Sequence, residues 1–426
     1  MTTTVVARDR AHLEKLIGKA MASGGDTCSL NHIDVSEIED FSGLFSEDYA
    51  TFNGDISLWN TSRATNMEAM FHGSQFKGDI ADWNVSRVTD MSQMFERAMF
   101  NGDISQWNVS RVNNMDDMFH KSRFKGDISN WNVSGATSMA RMFALTSFYR
   151  GFPGDISKWN VANVKNMNGM FQGAKFNGDV SRWDVSKVQD FDCMFTYSKF
   201  NGDVSRWNVS NAKSMRAMFQ GSAFEGDISR WDVSNVVTMT GMFWAARFNG
   251  DLSAWDTGNV RDMRRMFYKS HFAGDLSQWN TAKVTNMERM FASSRFMGDI
   301  SKWDVQRVAT MERMFQDTKY ARDLAAWRVQ GGTTLDGFFD DNVGGVAAQS
   351  MQPWMVQLFV ENNAIPSEPA WAEVFAQVQP IARSLGLDAS EHAQAIAATM
   401  NARANNTAVD GALLTALDHG LEDCHG

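Results

Sequence analysis

The stretch Phe100-Asn101-Gly102-Asp103-Ile104-Ser105-Gln106-Trp107-Asn108-Val109-Ser110-Arg111-Val112-Asn113-Asn114-Met115-Asp116-Asp117-Met118-Phe119 decides the fold, because it recurs. Trp stands at 59, 83, 107 and 131, then at 159, 183, 207, 231, 255, 279, 303 and 327. Every step is 24 residues except one of 28, which contains an insertion around Tyr149-Arg150-Gly151-Phe152-Pro153. A degenerate unit precedes the twelve: Ile33-Asp34-Val35-Ser36 through Phe45 mirrors Trp59-Asn60-Thr61-Ser62 through Phe71. Two apolar periods share each unit. Ile104, Trp107 and Val109 follow an L-x-x-L-x-L pattern, and the Trp-x-Val alternation predicts a short strand. Val112, Met115, Met118 and Phe119 recur every three or four residues, which predicts a helical or 3₁₀ segment. One such unit cannot bury its own apolar positions, whereas stacked neighbours bury them continuously. The expected architecture is an α/β leucine-rich-repeat-like solenoid, with a parallel sheet on one face and short helical or 3₁₀ segments on the other. Twelve strands spaced about 4.8 Å apart would make a sheet roughly 50 Å long.

The repeated Gly-Asp-Ile-Ser-x-Trp-Asn-Val-Ser-x-Val-x-x-Met-x-x-Met-Phe resembles the BspA-like leucine-rich-repeat surface proteins of bacteria and some protists. The resemblance extends over about residues 28–340. It implies a non-enzymatic solenoid, displayed on cell surfaces and used for adhesion or protein binding.

Composition narrows the function classes further. The chain has 426 residues, 40 basic and 50 acidic side chains, a formal net charge of −10, and only 3 Cys and 5 Pro. Three Cys exclude a disulfide scaffold and fit a thiol-reducing compartment. Hydrophobic content of 43% excludes disorder. No run approaches a membrane span, and no apolar leader follows Met1. The expectation is therefore cytoplasmic synthesis, with non-classical export, delivery or virion incorporation as routes outward. A net acidic chain does not suggest nucleic acid as a partner.

The ends differ from the repeats. Residues 9–22 carry apolar side chains at helical spacing, with Gly24-Gly25 to stop the helix, so residues 1–27 are expected to cap the repeats of 28–342. Residues 343–426 hold nine acidic residues against Arg383 and Arg403, a net of −7, which leaves −3 for the remainder. They read as a small acidic helical region that either caps the last repeat or docks a partner.

In stacked repeats, equal positions form columns, and function lies where a column faces out or varies. The Asp column four residues before Trp (Asp55, Asp79, Asp103 and their equivalents to Asp323) reads as turn capping, with a calcium ladder as the sharper alternative. The column after Trp includes Asn60, Asn84, Asn108, Asp184 and Asp232, and points outward by strand alternation; amide ladders are one arrangement for it. Beside it lie Lys158, Arg182, Arg206 and Arg230, just before Trp, and Arg63, Arg87 and Arg111, four after it. These either pair with neighbouring Asp or form a basic sheet face for an acidic protein, a glycan or a phosphate-bearing partner.

No catalytic constellation, cofactor motif or metal spacing appears. His72 and His120 share a column two repeats apart, roughly 10 Å. The tail His419, Asp423, Cys424 and His425 is a loose donor cluster. The leading reading is a recognition scaffold for a protein or glycan, acting through Lys158, Arg182, Arg206, Arg230, Arg63, Arg87 and Arg111. The alternative is a structural or assembly component whose C-terminal region makes the contacts. Oligomeric state stays open.

Overall fold

The computed structural model describes residues 4–146 and 154–320, together with 322, 324, 326–329, 333–335, 337 and 338. The expectations for the Tyr149–Pro153 insertion, Asp323 and residues 343–426 lie outside these residues. The chain divides into two compact units, Met1–Asn235 and Val236–Gly426.

Met1–Asn235 opens with β1 (Val5–Val6) and α1 (Arg10–Gly24). Asp9 caps α1 by accepting from the His12 N–H at 2.7 Å, and Gly25 ends it at φ 72°. The helix buries Leu13 and Ile17. Its Glu14 carbonyl accepts from the Tyr49 hydroxyl at 3.1 Å, and Tyr49 closes a 3₁₀ turn, Glu47–Tyr49, in the two-residue insertion before Phe52. β1 pairs in parallel with β2 (Ile33–Asp34), in the degenerate first unit. The helix expected at 9–22 is thus present and runs to Gly24.

Successive repeats are joined in parallel, but not where the apolar alternation suggested. In the first unit the bridges step from Asp40 to Asn66, Asp90, Asn114, Ser138, Asn166, Asp190 and Ser214. In the second they step from Thr238 to Asp262, Asn286, Thr310 and Thr334. All lie seven residues after the Trp position. The strand expected at Trp-x-Val is replaced by turns. Around Trp107 the Asp103 carboxylate accepts from Ser105 N–H (2.9 Å), Trp107 N–H donates to Ile104 O (3.2 Å), Asn108 Oδ1 accepts from Ser110 N–H (3.2 Å) and Val112 N–H donates to Val109 O (3.0 Å). Local bonds of this kind satisfy backbone groups that a ladder would otherwise use. The link between repeats on this side is a side chain: Trp107 Nε1–H donates to Ile80 O of the preceding repeat at 3.1 Å.

The ladder runs through the segment expected to be helical. Met115, Asp117, Phe119 and Lys121 donate backbone N–H to Ser138, Ala140, Met142 and Ala144 of the next repeat at 2.7–3.0 Å. The residues between them close three overlapping turns: Met118 to Met115, His120 to Asp117 and Ser122 to Phe119. Such turns bring residues i and i+3 together as a helix does, so the three-residue apolar spacing does not distinguish the two. They differ in the left-handed backbone at Asp117 (φ 56°) and Lys121 (φ 54°), which a helix excludes. Among the described residues the helical elements are α1 and the Glu47–Tyr49 turn.

Two left-handed positions per repeat carry a testable cost. Gly occupies one of them at Gly73 (φ 67°), where an added Cβ would meet nothing within 4 Å. A left-handed L-residue costs about 1 kcal/mol relative to glycine. Gly73→Ala is therefore expected to lower stability by about 1 kcal/mol, and Lys121→Gly to raise it by a similar amount. Urea midpoints at constant m-value would check both.

Within each unit the core is made of aromatic columns. In the first, Phe71, Phe95 and Phe119 stack at 5.7 and 5.8 Å between centroids, and Phe76, Phe100 and Phe124 at 6.2 and 6.3 Å. In the second, Trp255, Trp279 and Trp303 stack at 6.4 and 6.3 Å.

Candidate functional site

The columns singled out in the sequence sort into turn caps and free surface. Asp55, Asp79, Asp103, Asp127, Asp155, Asp179, Asp203, Asp227, Asp251, Asp275 and Asp299 each accept the backbone N–H two residues on, at 2.8–3.0 Å. The bonds from Ser105 and Ser301 hold the carboxyls of Asp103 and Asp299 below the usual range. This is the capping role.

The column after Trp caps a second turn. Asn60, Asn84, Asn108, Asp184 and Asp232 accept backbone N–H from residues 62, 86, 110, 186 and 234 at 3.0–3.2 Å. The amide-ladder arrangement is replaced by these local bonds, because the backbone here turns rather than extends.

Lys158, Arg182, Arg206 and Arg230 are exposed on the turn before Trp. Each lies within electrostatic reach of the Asp three residues earlier and helps to hold that carboxyl low. Arg63 is ion-paired to Glu37 (2.6 Å) and Glu39 (3.0 Å). Arg87 and Arg111 are exposed. These residues share the turn edge and not the ladder. Their expected place on a sheet face fails for the reason the strand does.

The ladder face also carries a column that does not repeat. The position two residues before the second left-handed site pairs with the core; the next one out reads His72, Glu96, His120, Ala144, Gln172, Thr196 and Gln220 in the first unit. In the second unit it reads Trp244, Tyr268, Ala292 and Gln316. His120 Nδ1 lies 3.2 Å from Glu96 Oε1 and 3.1 Å from Asp117 Oδ1. Arg141 grips Asp117 with two bonds, Nε to Oδ1 at 2.8 Å and an Nη to Oδ2 at 2.6 Å. His72 Nε2 is 3.8 Å and Arg97 Nε 3.6 Å from Glu96. The Asp117 side chain is 5% exposed, Glu96 12% and His120 14%. Burial pushes the His120 imidazole below its usual pKa, against the opposing pull of Asp117 and Glu96. Sequence reasoning paired His72 with His120 and missed Glu96, which occupies the same column in the repeat between them. The signal was the reading of that column as His-Glu-His at 24-residue steps.

In the second unit the same column and the left-handed positions Arg265 and Lys269 give an aromatic and cationic group. Trp244 and Tyr268 meet at 5.4 Å. The Arg265 guanidinium lies 5.9 Å from the Trp244 centroid and donates to Glu288 at 2.8 Å; Lys269 Nζ lies 5.1 Å from the Tyr268 centroid. In the first unit Tyr197 is 61% exposed and accepts from Gln220 Nε2 at 3.0 Å. Among the described residues no helix is long and apolar enough to cross a membrane.

A family model described as "Mycoplasma protein of unknown function, DUF285" matches residues 19–122, 74–151, 122–223, 198–293 and 245–354. No curated protein and no solved structure matches the chain. The five matches overlap in tandem over residues 19–354, as a repeat protein requires, and on that ground the chain belongs to the DUF285 family.

Proposed function

We propose that this chain is a non-enzymatic recognition scaffold, in which solenoid-like stacking within each unit presents the ladder face to a protein partner. One observation carries the reading. The Asp and Asn/Asp columns of the turn edge repeat and are committed to capping, whereas the ladder face varies from repeat to repeat and holds half-exposed Trp244, Tyr268 and Arg265. Trp, Tyr and Arg dominate the energetics of protein interfaces. Backbone bonds hold the Arg265–Tyr268 turn before binding, since Arg265 N–H donates to Glu288 O of the next repeat and Tyr268 O accepts from Ala245 N–H of the preceding one, which lowers the ordering cost of association. The BspA-like resemblance supports the same reading and adds an adhesive surface role. The basic residues Lys158, Arg182, Arg206 and Arg230 fit less well as the contact, since each sits beside a carboxylate of its own turn.

Photo-crosslinking side chains placed at Tyr197, Tyr268 and, as a comparison, Gln106 on the turn edge would test it in cells that express the chain. Crosslinks to a protein are expected from Tyr197 and from Tyr268 and not from Gln106. Replacing Lys158, Arg182, Arg206 and Arg230 together by Glu is expected to leave that capture unchanged. Crosslinks from Gln106 alone, or capture abolished by the four Glu substitutions, would move the contact to the turn edge.

A further inference from the structure

We propose that Glu96, Asp117 and His120 form a binding site for a divalent transition-metal ion, with zinc as the ion its donors suit, on the ladder face of Met1–Asn235. The inference stands apart from the partner-binding reading and needs no partner. Its first support is geometry. Each of the three residues offers one ligand atom, and these atoms all lie within 4.8 Å of one another. His120 Nδ1 is 3.2 Å from the Glu96 oxygen and 3.1 Å from the Asp117 oxygen. Two ligands held at about 2.0–2.1 Å from a tetrahedral zinc stand about 3.3 Å apart, so the two gaps from His120 need little adjustment.

The second support is an orphaned atom. His120 Nδ1 is buried and makes no hydrogen bond, although it points at two carboxylates. A buried polar atom without a partner calls for an explanation, and a bound ion is one. With the proton on Nε2, Nδ1 presents a lone pair beside two carboxylate oxygens. That is a convergent set of acceptors, which a cation satisfies.

The donor types choose the ion. One imidazole and two carboxylates, with no thiolate, match the nitrogen and oxygen ligands of zinc; an all-oxygen calcium set is not present. His72 Nε2, 3.8 Å from the other Glu96 oxygen, is a further donor. The outer shell is also in place. Arg141 holds the Asp117 carboxylate by both oxygens, as orienting groups around metal sites do. The ladder fixes the frame: Asp117 N–H donates to Ala140 O at 2.7 Å, and Arg97 N–H donates to His120 O at 2.8 Å. Arg141 and Arg97 offset part of the carboxylate charge, so the site should bind zinc with moderate affinity.

The test uses the full chain, freed of metal by chelator and dialysis. Calorimetric titration with zinc chloride near neutral pH is expected to show a saturable site. Glu96→Gln and His120→Gln should each weaken it by about 100-fold or more, since even outer-shell changes cost 10–100-fold. A variant with His419, Cys424 and His425 all replaced by Ala should retain it, which separates this site from the donors near the C-terminus. Cobalt added to the unsubstituted chain should give a tetrahedral absorption band without thiolate charge transfer, a readout that survives any folding defect in the variants. A flat zinc isotherm, zinc binding unchanged in both Gln variants, or the absence of that cobalt band would overturn the site.

Discussion

Replacing Trp207 by alanine is expected to lower the stability of Met1–Asn235 by about 4 kcal/mol. Trp207 is 4% exposed and stands within 6.1–6.4 Å of Phe191, Phe195 and Trp231. Truncation removes the largest apolar side chain of its repeat and leaves a cavity that rings held in register cannot collapse to fill. It also removes the Nε1–H donor to Val180 O, a buried bond of 3.0 Å. Trp207→Phe keeps a six-membered ring but loses the pyrrole part of the indole and the donor to Val180 O, for an expected cost of about 1–3 kcal/mol. In a repeat protein neighbouring units stabilise one another, so an interior defect should also broaden the transition. Urea unfolding followed by circular dichroism would show both effects. A Trp207→Ala midpoint close to that of the unsubstituted chain would remove the indole column from the core.

Gly54→Ala is expected to cost about 3 kcal/mol, at the severe end for inserting one methyl group. An added Cβ would lie 1.9 Å from Cys28 O and 2.8 Å from the Phe52 ring. The carbonyl cannot give way easily. Asn53 N–H donates to Asp26 O at 2.7 Å and Leu30 N–H donates to Asp55 O at 2.8 Å, so both flanking backbones are tied together there. Gly102 has the milder neighbour, the Phe100 ring edge at 2.8 Å, and its substitution should cost less. The damage at Gly54 should be local, loosening β1, α1 and the degenerate first unit. Faster amide exchange in residues 4–34 would report it. Equal stability of Gly54→Ala and Gly73→Ala would refute the backbone collision.

The period, the core columns and the Asp caps were legible in the sequence, because each is a property of one repeat multiplied. Trp107 and Asp103 mean the same thing in every copy. The placement of backbone bonds was not legible. Val112, Met115, Met118 and Phe119 have the spacing of a helix, and only the left-handed backbone at Asp117 and Lys121 rules it out. Side chains that tolerate that backbone poorly conceal it: among the left-handed residues are Gln93, Arg97 and Leu145 as well as Gly73 and Gly173. Once the ladder is misplaced, so is the face that varies. The four basic residues from Lys158 to Arg230 stand out as a run of like charge, yet each sits on a turn beside the Asp three residues before it. Glu96 is harder to pick out because it lies between two histidines in a column whose residue changes at every step.

The indole bond gives the array a direction. Within each unit a repeat offers a donor to the one before it and an acceptor carbonyl to the one after, as Trp83 to Ile56, Trp107 to Ile80 and Trp131 to Ile104 show in the first and Trp279 to Leu252 in the second. Such a joint is head-to-tail and identical at each step, so gain or loss of a whole 24-residue module leaves every remaining joint chemically unchanged. A gene of this kind tolerates slippage by one module and penalises slippage by a fraction of one. Copy number is then free to drift, while the register within a module is held fixed by the fold.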